Sequence, residues 1–240
     1  NISTIIILAI VLLVPGFLYI ALNKIGSNEY LKLPIYGEKV LSGKMNRKMG
    51  REIADTTYHT VKPLALVTKE GEEVTIFNQD SIISIVHVFY AKDDGLSNTL
   101  LFDLKKVAER FDHNGKVQFY SISIDTTDRD ETLKAIDHKY VGRLSKNWSI
   151  LGAHDGILPY VRENFLIDAF QQPNDSSTYV FGNNYILIDT KNRIRGFYDI
   201  NLKTDVARLE DEIKVQIVEE IRNNPFKIEK TSILRAKTRL

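Results

Sequence analysis

Apolar residues run from Ile2 to Leu22 without a charge among them, in the stretch ISTIIILAIVLLVPGFLYIAL. A helix needs roughly 20 mostly apolar residues to cross a bilayer. Pro15 and Gly16 inside the run are tolerated in membrane helices. No small-residue cleavage site of the signal-peptide kind stands near Gly26–Ser27. The pattern predicts one retained transmembrane helix, with residues 1–24 as the anchor. Residues 25–60 are polar and weakly patterned, with turn residues at Pro34 and Gly37, and are expected to form a linker. Lys44, Arg47, Lys48 and Arg51 suit a solvated linker, or contact with lipid headgroups or a partner.

From Val61 the pattern becomes regular. Leu64–Thr68 and Glu73–Ile76 flank a Lys-Glu-Gly-Glu turn, which predicts a hairpin. Ile82–Tyr90 is a run of β-branched and aromatic residues, a strand. A polar break follows from Ala91 to Asn98. Leu100, Leu101, Leu104, Val107, Ala108 and Phe111 then recur at the spacing of one helix face. Lys116–Ile124 alternates as a strand does. Asp125–Asp130 is a turn that caps a helix over Glu131–Val141, carried on Leu133, Ile136 and Tyr140. Trp148–Leu151 is a short apolar segment. His154–Phe165 predicts a helix with Pro159 in its first turn, where a missing N–H costs little. Gln171–Ser177 is expected to be a loop. Tyr185–Asp189 and Ile194–Tyr198 predict a hairpin turning at Lys191–Asn192. Val206, Leu209, Ile213, Ile217 and Ile221 mark an amphipathic helix over Leu202–Ile221. This order predicts an α/β domain over 61–222, a central sheet flanked by helices on both sides.

Pro225 stops the last helix. The tail, 223–240, carries Lys227, Lys230, Arg235, Lys237 and Arg239 against Glu229. It reads either as a disordered basic end or as a docking arm for an acidic partner or anionic lipid, with Phe226, Ile228, Ile233 and Leu234 adding apolar contact.

Charge narrows the choice of partner. With 32 basic and 31 acidic side chains in 240 residues, the charge balance argues against a general nucleic-acid binder. The chain holds no cysteine, which excludes disulfides, thiolate metal sites and thiol catalysis. No phosphate loop, HExxH helix or nucleophile elbow is present. The polar break before the first long helix is where a helix N-terminus favours anions and would lower a thiol pKa. Here it holds Lys92, Asp93, Asp94, Gly95, Ser97 and Asn98. Asp93 and Asp94 are read as caps or dipole partners. His87 shares a strand face with Ile85 and Phe89 and is read as a hydrogen-bonded core residue; the alternative is a hard metal held with Asp93 and Asp94. His59, His113, His138 and His154 lack ligand spacing. Asp125, Asp128 and Asp130 are read as a solvated acidic turn.

The order of pieces resembles the Sco/SenC proteins, thioredoxin-fold copper chaperones of cytochrome oxidase assembly. LPIYGEK after an apolar span resembles the start of their periplasmic domain. FYSISIDTTD (Phe119–Asp128), WSILGA (Trp148–Ala153), ILPYVRENFLI (Ile157–Ile167) and YILIDTKNRIRGFYD (Tyr185–Asp199) extend the likeness over Leu31–Ile221. The resemblance implies a thioredoxin-like domain of Sco type. It also implies a copper site of two cysteines in a Cys-Pro-x-x-x-Cys-Pro loop and a distal histidine. Asp93 and Ser97 fall at the two cysteine positions, Asp94 and Asn98 at the prolines, and Phe181 at the histidine. Soft thiolates select Cu(I), and thiol–disulfide exchange needs them too.

The expectation is therefore a protein without catalytic residues, metal or cofactor. It is a membrane-anchored, Sco-like subunit or assembly factor of a respiratory, cytochrome oxidase-type, or other envelope complex. Its partners are integral membrane subunits and, through the N-terminal helix, the lipid bilayer; nucleic acid is not among them. The expected place is the bacterial inner membrane, single-pass, with the domain on the periplasmic side. Lys92, Asp93, Asp94, Gly95 and Ser97 are the candidate partner-contact loop, and the five basic tail residues a candidate docking arm. The alternative is a copper chaperone with an altered site. A peroxidase- or reductase-like enzyme is the third reading and the one most opposed by the absence of cysteine.

Overall fold

A computed structural model of the chain describes residues 3, 11, 13–20, 32–48, 51–78, 81–92, 96–128, 130–172 and 175–223. The chain divides into two units, Asn1–Lys32 and Leu33–Leu240. In the first, Ser3, Val11 and residues 13–20 are helical. The rest of the predicted span lies outside the described residues, and among the described residues no helix is long and apolar enough to cross a membrane.

The second unit is built on a seven-stranded sheet. Its strands are β3 (Leu64–Thr68), β4 (Glu73–Ile76), β5 (Ile83–Phe89), β6 (Val117–Ser123), β7 (Trp148–Gly152), β10 (Asn184–Ile188) and β11 (Ile194–Asp199), in the spatial order β11-β10-β5-β6-β7-β3-β4. β5, β6 and β7 are parallel, and the outer strands join antiparallel. Helix α1 (Leu96–Phe111) connects β5 to β6. Helix α2 (Asp130–Ile136), with a π-turn over Asp137–Val141, leads towards β7. Parallel strands need such crossovers, and the helices cover the sheet. That is why all seven residues of β5, ISIVHVF, are buried.

Alternation divides the sheet residues between two cores. Ile83, Ile85 and Phe89 of β5, with Val117 and Phe119 of β6 and Tyr185 and Leu187 of β10, face one side. There they meet Leu100, Leu101, Leu104, Val107, Ala108 and Phe111 of α1, and Leu209 and Ile213 of helix α4 (Lys203–Asn223). Leu104 is fully buried; truncation to alanine at such a site costs roughly 2–5 kcal/mol. Val86, Val88, Ile122, Ile186 and Ile188 face the other side. They meet Ile157 of helix α3 (Ile157–Tyr160) and Val161 and Phe165 of the π-turn that continues it. Pro159 stands in the first turn of α3, as expected, after Gly156 at φ +89°.

Three stretches differ from the sequence reading. The predicted linker contains a hairpin, β1 (Lys39–Lys48) with β2 (Arg51–Tyr58). The segment before it also belongs to the second unit, which begins at Leu33 rather than near residue 61. Arg195 of β11 donates to the carbonyls of Leu33 and Pro34, and Leu33 itself is buried in the first core, so distant partners rather than a local apolar pattern tie this segment down. The expected loop 171–177 falls within a second hairpin, β8 (Ala169–Gln172) with β9 (Asp175–Phe181). Its polar residues carried no alternating signal because Phe170 and Val180 are exposed there while Ala169 is buried. The helix expected over 131–141 stops being α-helical at Ile136 and ends as the π-turn before Gly142, at φ +52°.

Candidate functional site

Ligands of open α/β sheets collect beyond the carboxyl ends of the parallel strands. In this chain that edge is formed by Tyr90–Lys92 after β5 and Ser123–Asp128 at the end of β6, with Tyr179 of β9 beside them. Lys92 Nζ lies 3.0 Å from Asp125 Oδ2. Asp125 Oδ1 accepts from the Thr127 N–H at 2.8 Å and from Thr127 Oγ1 at 2.7 Å. Burial pushes the Asp125 carboxyl up, but these hydrogen bonds and the ammonium of Lys92 outweigh it and hold the pKa below its ordinary value. Lys92 in turn is raised by its hydrogen bond to Asp125. Asp128 accepts from Ser123 Oγ. Its pKa is raised, chiefly by burial, with the charge of Asp125 adding to it. The Tyr90 and Tyr179 rings meet edge to face at 5.3 Å, and Lys92 Nζ lies 5.9 Å from the Tyr90 centroid.

The acidic turn is thus not the solvated one its sequence suggested. Asp125 is 2% exposed and serves as an internal counter-charge. The reason is tertiary: β5 delivers Lys92 next to it across the parallel pair Phe89↔Ser123.

Of the predicted contact loop, Lys92 is exposed and paired with Asp125. Asp93, Asp94 and Gly95 lie outside the described residues, and so does the capping role expected of the two aspartates. Ser97 is in the first turn of α1. Phe181 ends β9, pairs with Ala169 and packs against the second core. It is a hydrophobic wall where the resemblance implies a histidine ligand. Lys227, Lys230, Arg235, Lys237 and Arg239 lie outside the described residues. The Lys92–Asp125 pair and the Tyr90–Tyr179 contact were missed; the only signal for them was the Asp-Thr-Thr sequence, which suits an Asx-type turn.

His87 is in the core, as expected, but without the expected hydrogen bonds. It is fully buried, paired in register with Tyr185 on one side and Ser121 on the other. Its ring stacks on Phe89 at 6.0 Å and meets Tyr185 edge-on at 5.4 Å. Neither ring nitrogen has a hydrogen-bond partner among the described residues. Ser121 Oγ instead accepts from Trp148 Nε1 at 3.0 Å, and Tyr185 donates to the Leu100 carbonyl at 2.6 Å. Burial lowers the His87 pKa to about 3.

The donors at the strand ends are hard oxygens and an ammonium, already engaged with one another. Among the described residues no group of three or more His, Asp or Glu side chains is placed to hold a metal ion. A cavity of about 340 Å³ lies elsewhere, by the edge shared by β3 and β7, lined by Lys69, Tyr120, Asp137 and Trp148 among others, and shares no lining residue with the Lys92 cluster.

No protein-family model and no curated protein matches this chain. Solved structures do. A SCO1/SenC family lipoprotein from Bacillus anthracis superposes with a TM-score of 0.58 at 18% identity, over 66% of this chain and 95% of that one. BsSco, described as a member of the Sco family of cytochrome c oxidase assembly proteins with a disulfide switch, gives 0.57 at 14% identity, over 66% and 93%. Arabidopsis thaliana ScoI, solved with copper bound, gives 0.53 at 18% identity, over 67% and 99%. The chain has the thioredoxin-like fold of the Sco structures, here without a cysteine.

Proposed function

We propose that this chain is a non-catalytic, Sco-like subunit or assembly factor of a membrane complex, of the cytochrome oxidase type or another envelope machine. In this reading residues 2–22 hold it in the bacterial inner membrane and the domain works on the periplasmic side, without copper or thiol chemistry. A fold without its usual site is argued from what replaces that site. The observation carrying the reading is the Lys92–Asp125 pair, 3.0 Å apart. It supplies a compensated, internally bonded surface at the strand ends where the Sco resemblance implies thiolates. The Tyr90–Tyr179 contact and Phe181 give that edge aromatic character. Aromatic side chains are enriched where proteins meet.

The test is affinity purification of the tagged full chain from its native membrane in mild detergent. Stoichiometric recovery with oxidase or other respiratory subunits supports the reading. Recovery with a different envelope machine keeps the scaffold role and removes respiration from it. Recovery of the chain alone overturns the stable-subunit role. The second reading, a copper chaperone with an altered site, draws on copper-bound structures such as Arabidopsis thaliana ScoI. It requires sub-micromolar Cu(I) binding by the purified protein, and finding none removes it.

A further inference from the structure

Hairpin β1–β2 is a two-stranded sheet of its own, separate from the central sheet. The eight residues of β2 extend roughly 27 Å at about 3.4 Å per residue. Its root is held to the domain. Tyr36 N–H donates to the Ile194 carbonyl at 2.9 Å, His59 N–H to Glu38 at 3.0 Å, and Val61 N–H to Asn192 at 2.7 Å. Gly37, at φ +95°, passes so close to His59 that a Cβ would stand 2.5 Å from the His59 Cβ. Only glycine makes that turn without strain.

Beyond the root the hairpin shows two features that call for an outside partner. Val40, Leu41 and Met45 are 58%, 69% and 65% exposed. A lone two-stranded hairpin is marginal in water, and these side chains gain nothing there. From Lys44 to Arg51 the sequence holds four basic residues, Lys44, Arg47, Lys48 and Arg51, and no acidic one, in a chain whose net charge is only +1. The backbone register sets Lys48 opposite Arg51, and Arg47 opposite Glu52.

We propose that the distal part of hairpin β1–β2 docks on the anionic phospholipid surface of a bilayer. Lys44, Arg47, Lys48 and Arg51 supply charge to headgroup phosphates, and Met45 supplies apolar contact at the interface. Basic residues near an anionic surface each strengthen binding roughly fivefold. Sequence distance favours lipid over an acidic protein. Ten residues lie between Leu22 and Leu33, a reach of at most about 40 Å. In this one respect the inference rests on the anchor reading above.

The absence of native cysteine makes the test direct. A Met45→Cys variant of the full chain is labelled with an environment-sensitive fluorophore. It is then mixed with vesicles of phosphatidylcholine alone or of phosphatidylcholine with phosphatidylglycerol. The expected result is a blue shift, and quenching by headgroup-labelled lipid, with the anionic vesicles only. Both are lost when salt rises from about 0.1 M to about 1 M, which shortens the screening length from about 10 Å to about 3 Å. Both are lost again in the fourfold variant Lys44→Gln, Arg47→Gln, Lys48→Gln, Arg51→Gln. A label at Thr57→Cys, near the root, repeats the measurement should Met45→Cys perturb the strand. Equal signals with both vesicle types, or none with either, overturn the proposal; a shift produced instead by an acidic partner protein does so too. Flotation with neutral vesicles reads the anchor separately. If the chain does not float there, the anchor reading fails, while the charge-dependent signal on anionic vesicles still decides the hairpin.

Discussion

Arg195 Nη1 lies 3.1 Å from Asp189 Oδ2, and the two side chains are 2% and 1% exposed. The pair joins three parts of the domain. Arg195 Nη2 reaches Glu219 of α4 at 3.0 Å and the Leu33 carbonyl at 2.8 Å, while Nε reaches the Pro34 carbonyl at 3.0 Å. Arg193 adds a second guanidinium to Asp189 at 2.7 Å. A planar fork with five donors suits this task, and an ammonium does not. The start of the folded unit is therefore fastened by one side chain of β11.

Arg195→Ala is expected to destabilise the domain by roughly 1–3 kcal/mol, because the Leu33 and Pro34 carbonyls and Glu219 lose their partner while Asp189 keeps Arg193. Urea unfolding followed by the fluorescence of Trp148 measures it. Arg195→Lys restores the charge but not the fork, and is expected to recover less than half of the loss. Full recovery with lysine would mean that charge alone matters.

His87 gives a pH dependence with a definite sign. Its folded-state pKa is lowered from 6.5 to about 3 by burial. The unfolded chain therefore binds a proton that the native state refuses, and stability falls as pH drops below about 6.5. Between pH 6.5 and 5 the loss from this one group is about 2 kcal/mol. It continues, at about 1.4 kcal/mol per pH unit, until pH nears 3. His87→Leu removes this component and an unpartnered buried polar ring, so it is expected to stabilise at pH 7 by about 1 kcal/mol. Urea midpoints of both proteins at pH 7 and pH 5 decide the matter; parallel losses in the two would assign the acid sensitivity to other groups.

Lys92→Ala is expected to leave the urea midpoint almost unchanged, since the lysine side chain is 56% exposed and solvent screens the pair. The readout that moves is Asp125. Its carboxyl pKa should rise when the ammonium is lost, as measured by carboxyl-carbon NMR titration. A lowered pKa of this kind stabilises above the unfolded value and is lost as pH falls through the folded one. An unmoved titration would assign the whole effect to Thr127.

Installing the ligand set that the Sco resemblance implies is expected to create a copper site. A variant carrying Asp93→Cys, Ser97→Cys and Phe181→His should take Cu(I) from a competing chelator under anaerobic conditions, and the natural sequence should not. Thiolate is the ligand that discriminates. Failure of the triple variant would show that more than three side chains separates this fold from a copper site.

Local pattern determined much of the domain. Six apolar residues at helical spacing placed α1, a run of β-branched and aromatic residues placed β5, alternation placed β6, and Lys191–Asn192 placed the β10–β11 turn. These elements follow from which residues avoid water at which period. The absence of cysteine, and with it of thiol chemistry, was also written in the chain. Tertiary structure decided the rest, for reasons no single stretch contains. Hairpins β1–β2 and β8–β9 rest on backbone pairing with exposed residues, so periodicity did not announce them. Arg195 reaches carbonyls more than 160 positions away in sequence. Lys92 meets Asp125 only because β5 and β6 lie side by side, and that contact turns an acidic turn into a neutralised surface. A side chain's neighbours in water are set by its sequence; its neighbours in a core are set by the sheet, and charge compensation depends on the second.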